Sequence, residues 1–211
     1  MKKQYFWNTA AGLLNAAEGV IFGMITNRVT GMTDSGILTI AFSVGNLFAS
    51  IGRWGIRTVQ VSDNGAHSFK EYFNARLISI VLQIVSAFVY VFVSGYLNGY
   101  STEKTYVILL MVLIYASEIF EETFWGHYQK NNHIETGAQI FLLRWSSIII
   151  SYCIVLFLTH SISISMTVAT IVSFCVLSIA LIISWKPYKN NKEESKHGEK
   201  RILIKCFPIM L

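Results

Sequence analysis

The chain has 211 residues, of which 53% are hydrophobic and 14% charged, and its mean hydropathy is +0.49. This composition is too apolar for a soluble domain of this length and predicts an integral membrane protein. The net charge of +5 is concentrated in particular loops, so it indicates membrane topology rather than nucleic-acid binding.

Six hydrophobic runs of about 20 residues follow one another, each long enough to cross a membrane core of roughly 30 Å. The predicted spans are 6–26, 36–60, 77–97, 105–125, 137–158 and 162–185. We therefore expect an all-α, polytopic membrane fold with a six-span lobe over residues 1–185. Residues 186–201 predict a basic tether, and residues 202–211 the start of a truncated seventh span.

The second span is not apolar on every side. Polar side chains recur along it at steps of three and four residues, which places them on one helix face. They are Thr39, Ser43, Asn46, Ser50, Arg53 and Arg57. Lipid cannot solvate such a line, so the helix is predicted to border an internal groove. The first span has a similar polar face, which includes Asn8, Asn15 and Glu18, and we expect it to form another wall.

The loop between spans two and three is predicted to be polar. Its VSDNG stretch, residues 61–65, is typical of a turn. The following HSFKEYFNAR, residues 67–76, predicts an amphipathic surface segment.

Lysine and arginine are distributed unevenly between the two sides of this topology. Of the 17 such residues, only Arg28 and Lys104 fall in links on the outer side, and the other fifteen fall on the inner side. By the positive-inside rule, both the N-terminus and the 186–201 segment are predicted to be cytoplasmic.

Several charges lie within the predicted spans. Glu18 lies roughly 18 Å into the first span at about 1.5 Å per residue, near the middle of the bilayer, which favours a functional role. Glu118 and Arg144 have similar depths in spans four and five, so they can pair if these spans are neighbours. Such a pair would serve equally well as a structural ion pair or as part of a ligand site.

Other charges lie near the predicted inner surface. Arg57 is typical of an interfacial anchor, whereas Arg53, one turn deeper, fits anchoring and ligand binding equally. Glu121 and Glu122 are expected to be interfacial and solvated.

No motif of an enzyme is found: GxSxG, HExxH and the Walker P-loop are all missing from the sequence. The three cysteines have no CxxC spacing, and the five histidines have no ligand spacing. We therefore predict a protein that is not an enzyme and that uses no metal or cofactor.

The stretch GLLNAAEGVIFGMITNRVTGMTDSGILTIAFSVGNLFASIGRWGIRTVQVSD, residues 12–63, resembles the start of bacterial polysaccharide-export flippases. These are the O-antigen and teichoic-acid transporters of the multidrug/oligosaccharidyl-lipid/polysaccharide superfamily. The recognisable pieces are ITNRVTGMTDSGILTIAFSVGNLF, GRWGIRTVQVSD and SFKEYFNAR. The resemblance covers residues 12–82, and beyond them it rests on span order and loop lengths.

The resemblance implies two helical lobes around a central cavity. By alternating access, they would carry an undecaprenyl-diphosphate-linked oligosaccharide across the bacterial cytoplasmic membrane for polysaccharide synthesis. The implied partners are this glycolipid and membrane lipid, with no nucleic acid. The implied cavity residues are Arg53, Arg144, Arg28, Asn46, Glu18 and Glu118, with Arg57 as a weaker candidate.

The predicted spans amount to one lobe of such a transporter. The chain is therefore expected to be a fragment of a longer protein, a half-size protein that pairs with a second lobe or copy, or an inactive form. Two other functions stay open. One is a cation-coupled exporter of drugs or small molecules, in which Glu18 would be the proton or sodium site. The other is a non-transporting scaffold of a glycan-assembly complex.

Overall fold

The computed structural model describes residues 2–63, 67–188, 202–204 and 206. Within these residues the regular structure is helical, which confirms the predicted all-α class. The main helices are α1 Lys2–Val29, α2 Met32–Arg53, α3 Ile56–Ser62, α4 Phe69–Asn98, α5 Thr102–Lys130, α6 Ile134–Thr159 and α7 Ile162–Tyr188.

In the described part of the chain, five helical segments are long and apolar enough to cross a membrane. They are α1, α2 together with α3, α4, α6 and α7. The fourth predicted span, which corresponds to α5, does not qualify, because it carries Glu118, Glu121 and Glu122 near its C-terminal end. The chain is therefore a helical protein with several helices suited to a membrane.

Helix α5 lies at the centre of the fold. The helices α2, α3, α4, α6 and α7 all pack against it, and α1 packs on α2 and α6. Apolar side chains of α5, such as Ile108, Met111 and Ile114, are fully buried. Glu118, Glu121 and Glu122, near the C-terminal end of α5, are consequently surrounded mainly by protein, and they require partners from the neighbouring helices.

The second predicted span is broken, whereas the sequence indicated one continuous helix over residues 36–60. Trp54 and Gly55 both have left-handed backbone conformations, with φ of 43° and 63°, and glycine adopts this region without steric cost. Helix α2 therefore ends at Arg53. Its last carbonyl groups, those of Gly52 and Arg53, accept hydrogen bonds from Nη1 of Arg76 at 3.0 and 3.1 Å.

The segment 67–76 is not a surface helix, contrary to the prediction. Its residues from Phe69 onward form the first turns of α4. Ser68 caps that helix in a reciprocal capping box with Glu71, while Tyr72 and Arg76 are buried. Glu71 and Arg76 of this segment are buried and hydrogen-bonded to the protein, whereas Lys70 is exposed.

The turn predicted at residues 61–65 is described only in part. Its first two residues belong to the end of α3, and residues 64 and 65 lie outside the described residues.

The predicted tether and seventh span are also described only in part. Residues 186–188 belong to α7, and residues 189–201 lie outside the described residues. Ile202 and Cys206 are helical and buried against a cluster that includes Ile56 and Tyr72. The indole Nε1 of Trp54 donates to the carbonyl oxygen of Leu203 at 3.0 Å.

Candidate functional site

The polar faces of α1 and α2 border one groove. The polar side chains Thr39, Ser43, Asn46 and Ser50 of α2 are exposed. On the opposite side of this helix, residues such as Leu38 and Ala49 are buried. The polar face of this helix therefore points away from the packed interior, and its contact with water or a second lobe stays a prediction.

Two adjoining cavities follow the groove and share Asn15 and Asn46 as lining residues. The first, which we call the charged cavity, has a volume of about 330 Å³ and includes Arg53 and Arg57 in its wall. The second, which we call the middle cavity, has a volume of about 530 Å³ and includes Glu18. The two cavities therefore adjoin along the groove, and residues of α5 such as Glu118 and Glu122 complete the wall of the charged cavity.

Glu18 of the middle cavity is held by a tyrosine. The hydroxyl group of Tyr115 donates to Oε1 of Glu18 at 3.0 Å, and Nδ2 of Asn46 donates to the same hydroxyl oxygen at 2.9 Å. The close approach of α2 to α5 requires a glycine, because a Cβ atom at Gly45 would lie 2.6 Å from the Tyr115 ring. Oε2 of Glu18 is buried and has no hydrogen-bond partner among the described residues.

Arg53 of the charged cavity binds two glutamates of α5. Its Nη2 lies 2.9 Å from Oε1 of Glu118, and its Nε lies 3.3 Å from Oε1 of Glu122. Oε2 of Glu122 lies 3.7 Å from Nη2 of Arg76, which is fully buried. The side chain of Glu122 is only 15% exposed, so the prediction that it is solvated is wrong. These two ion pairs of Arg53 connect α2 to α5, and neither was predicted from the sequence.

Arg144 is buried completely and does not line either cavity. The predicted pair with Glu118 is confirmed, at 3.6 Å from Nη2 to Oε2. Its Nε also binds Glu121, and its Nη1 donates to the hydroxyl oxygens of Ser117 and Ser173, both at 3.2 Å. Glu121 is only 5% exposed, so the prediction that it is solvated is wrong. These contacts indicate a structural role for Arg144.

Arg57 has a different environment from the other arginines of this region. Its guanidinium group stacks on the Trp125 ring at 4.2 Å, and its Nη2 donates to Oε1 of Gln129 at 3.0 Å. Among the described residues no carboxylate lies within ion-pair distance of Arg57. A cation that lines a cavity without a direct counter-ion is suited to bind an anionic ligand.

Arg28 is far from these residues. It is exposed in the last turn of α1, whereas Arg53 is at the opposite end of α2. The 22 residues of α2 separate the two by roughly 30 Å at 1.5 Å per residue. Arg28 therefore does not share a ligand site with Arg53, contrary to what the resemblance implied.

Three arginines and three glutamates at and beside the charged cavity pair with one another. They are Arg53, Arg76 and Arg144 with Glu118, Glu121 and Glu122. Because isolated charges are costly to bury, each of these buried or half-buried charges needs such a partner. Arg76 was missed in the sequence because it lies in segment 67–76, which was predicted to lie on the surface.

The fold and this groove define a class: a helical protein with several helices able to cross a membrane and a charged cavity lined by residues of several helices. A comparison with protein-family models, curated proteins and solved structures finds no match to this chain. The resemblance to polysaccharide flippases therefore stays a prediction.

Proposed function

We propose that this chain forms a six-span lobe of a transporter that moves undecaprenyl-diphosphate-linked oligosaccharide across the bacterial cytoplasmic membrane by alternating access. The observation that carries the proposal is the charged cavity. Its wall includes Arg57, which has no carboxylate within ion-pair distance among the described residues, and the 34% exposed side chain of Arg53. With the predicted orientation, this cavity lies near the cytoplasmic surface, where such a glycolipid is made available.

The groove suits an amphiphile with a polar head. The exposed amides of Asn8 and Asn15 line the charged cavity, and they can hydrogen-bond to hydroxyl groups of a glycan. Helix α4 exposes large apolar side chains, including Val85, Phe88 and Phe92, which suit contact with lipid. A polar head in the groove and a hydrocarbon tail in the bilayer would thus each meet a compatible environment.

The proposal includes α5 as a sixth span. Three of its four glutamates, Glu118, Glu121 and Glu122, contact Arg53, Arg76 and Arg144, and this pairing reduces the cost of placing them in a membrane. The proposal also includes a second lobe, or a second copy of the chain, that covers the exposed polar line of α2. Lipid alone would leave that line unsolvated.

The proposal is tested by reconstituting the chain in vesicles and measuring the movement of a labelled undecaprenyl-diphosphate glycan. Arg57→Ala should reduce transport about tenfold or more, because hydrogen bonds to charged groups contribute roughly 1.5–3 kcal/mol, and Arg53→Ala should also reduce it. Arg28→Ala is the matched control, because it removes an arginine outside the groove, and it should transport like wild type. Unchanged transport by both cavity variants would refute the proposal.

A cation-coupled exporter is a second candidate, and one observation favours it. The buried Oε2 of Glu18 has no partner among the described residues, although Glu18 lines the middle cavity. A proton or a metal cation at this oxygen would satisfy it. If Glu18→Gln abolishes transport driven by a pH gradient, while Arg57→Ala does not affect it, the exporter is the better description. A chain that transports nothing, but co-purifies with glycan-assembly enzymes, would be a scaffold.

A further inference from the structure

The charge balance of the cavity restricts how an anion can bind. Arg53 in its wall is already paired with two carboxylates, Glu118 and Glu122. A diphosphate group would add negative charge beside Glu118 and Glu122, both of which line the cavity. Negative charges that lie side by side repel each other strongly in a partly buried site. An anion can therefore bind well only if one of these carboxylates moves away or loses its charge.

Of these two carboxylates, Glu122 is held less firmly. Glu118 is 4% exposed in its side chain, lies 2.9 Å from Nη2 of Arg53, and accepts a hydrogen bond from Nε1 of Trp145 at 2.9 Å. Glu122 has longer contacts, 3.3 Å to Arg53 and 3.7 Å to Arg76, and a more exposed side chain. Short charge-assisted bonds are the stronger ones, so Glu122 is the carboxylate that an incoming anion can displace.

We propose that Glu122 is an internal counter-anion, which occupies Arg53 in the empty protein and gives way to a phosphate anion when substrate binds. The inference rests on the proposed function and describes how its site is regulated. In the empty state, Glu122 neutralises Arg53 and Arg76 and keeps the cavity from binding anions indiscriminately. When a diphosphate contacts Arg57 and Arg53, Glu122 retains Arg76 as its partner. Because the diphosphate must displace Glu122 from Arg53, it binds less tightly, and it also dissociates more readily when Glu122 returns.

The test measures binding of inorganic pyrophosphate to the purified chain in lipid nanodiscs by calorimetry. Glu122→Gln removes the competing charge, so the dissociation constant should fall about tenfold, which corresponds to roughly 1.4 kcal/mol. Glu122→Asp keeps the charge but shortens the side chain, and should give an intermediate gain. Glu103→Gln is the matched control, because Glu103 is an exposed carboxylate in the first turn of α5, at the opposite end of the helix from Glu122, and it should bind like wild type.

The outcomes separate this inference from the proposed function. If Arg57→Ala abolishes pyrophosphate binding but Glu122→Gln and Glu122→Asp bind no tighter than wild type, the counter-anion role is refuted and the anion site stands. Weaker binding by Glu122→Gln also refutes it, since Glu122 would then help to build the site. If neither wild type nor the Glu122 variants bind pyrophosphate, both ideas fail.

The source of the anion is distinguished in the same experiment. Farnesyl diphosphate carries the same diphosphate on an isoprenoid tail. Tighter binding of farnesyl diphosphate than of pyrophosphate identifies a lipid-borne anion, and equal binding identifies a free one. In either case, the Glu122→Gln gain should appear for both ligands, and a gain for neither would contradict the proposal.

Discussion

Replacing Arg144 with glutamine should destabilise the protein more than any other single substitution among the paired arginines Arg53, Arg76 and Arg144. The guanidinium group is fully buried and is the cation that contacts Glu121. The other oxygen of Glu121 is already buried without a partner among the described residues. Glu118, in contrast, would keep its contacts with Arg53 and Trp145. The substitution therefore leaves one uncompensated carboxylate, and breaking a buried pair in this way costs about 3–5 kcal/mol.

The free energy of unfolding can be measured by SDS titration in mixed micelles, followed by circular dichroism. The double variant Glu121→Gln with Arg144→Gln removes both charges, so its loss of stability should be smaller than the sum of the two single losses by about 2 kcal/mol, a coupling typical of contacting residues. If Arg144→Gln costs under about 1 kcal/mol, the range of exposed ion pairs, or if the two single effects add, the pair is not the buried contact described above.

Three further results are expected. Gly45→Ala should lower the unfolding temperature, because its Cβ would lie 2.6 Å from a tyrosine ring and overpacking costs about 1–3 kcal/mol. Gly36→Ala, with open space around it, should not lower it. In a cysteine-free background, Ser43→Cys in the groove should react with a water-soluble maleimide, and Val85→Cys on α4 should not. Equal labelling would contradict an aqueous groove. Ser68→Ala should cost about 1 kcal/mol through loss of the helix cap, and an unchanged denaturation midpoint would argue against the capping box.

The walls of the groove could be predicted from the sequence because they depend on local periodicity. Residues three and four positions apart on α2, such as Ser43 and Asn46, share a face whatever the rest of the chain does. The Glu118–Arg144 pair was predictable for a similar reason, since α5 and α6 follow one another closely. These inferences needed only the helix geometry and the order of the spans.

The partners of Arg53 could not be predicted in the same way. Glu118 lies 65 positions away, and only the packing of α2 on α5 brings the two together. The break at Trp54 and Gly55 was equally hidden, because a single glycine is common within membrane helices. Arg76 was misjudged because charge alone indicated a surface, whereas in the structure it caps the broken end of α2.

The position of the α5 glutamates has a consequence for biogenesis. In the proposed six-span arrangement, α5 is a poor candidate for independent entry into the bilayer, because carboxylates oppose insertion. Two of its cationic partners, Arg53 and Arg76, belong to helices synthesised earlier, whereas Arg144 belongs to the helix synthesised next. Stable integration of α5 is therefore expected to wait at the translocon until α6 has emerged, so that these two helices enter the lipid together.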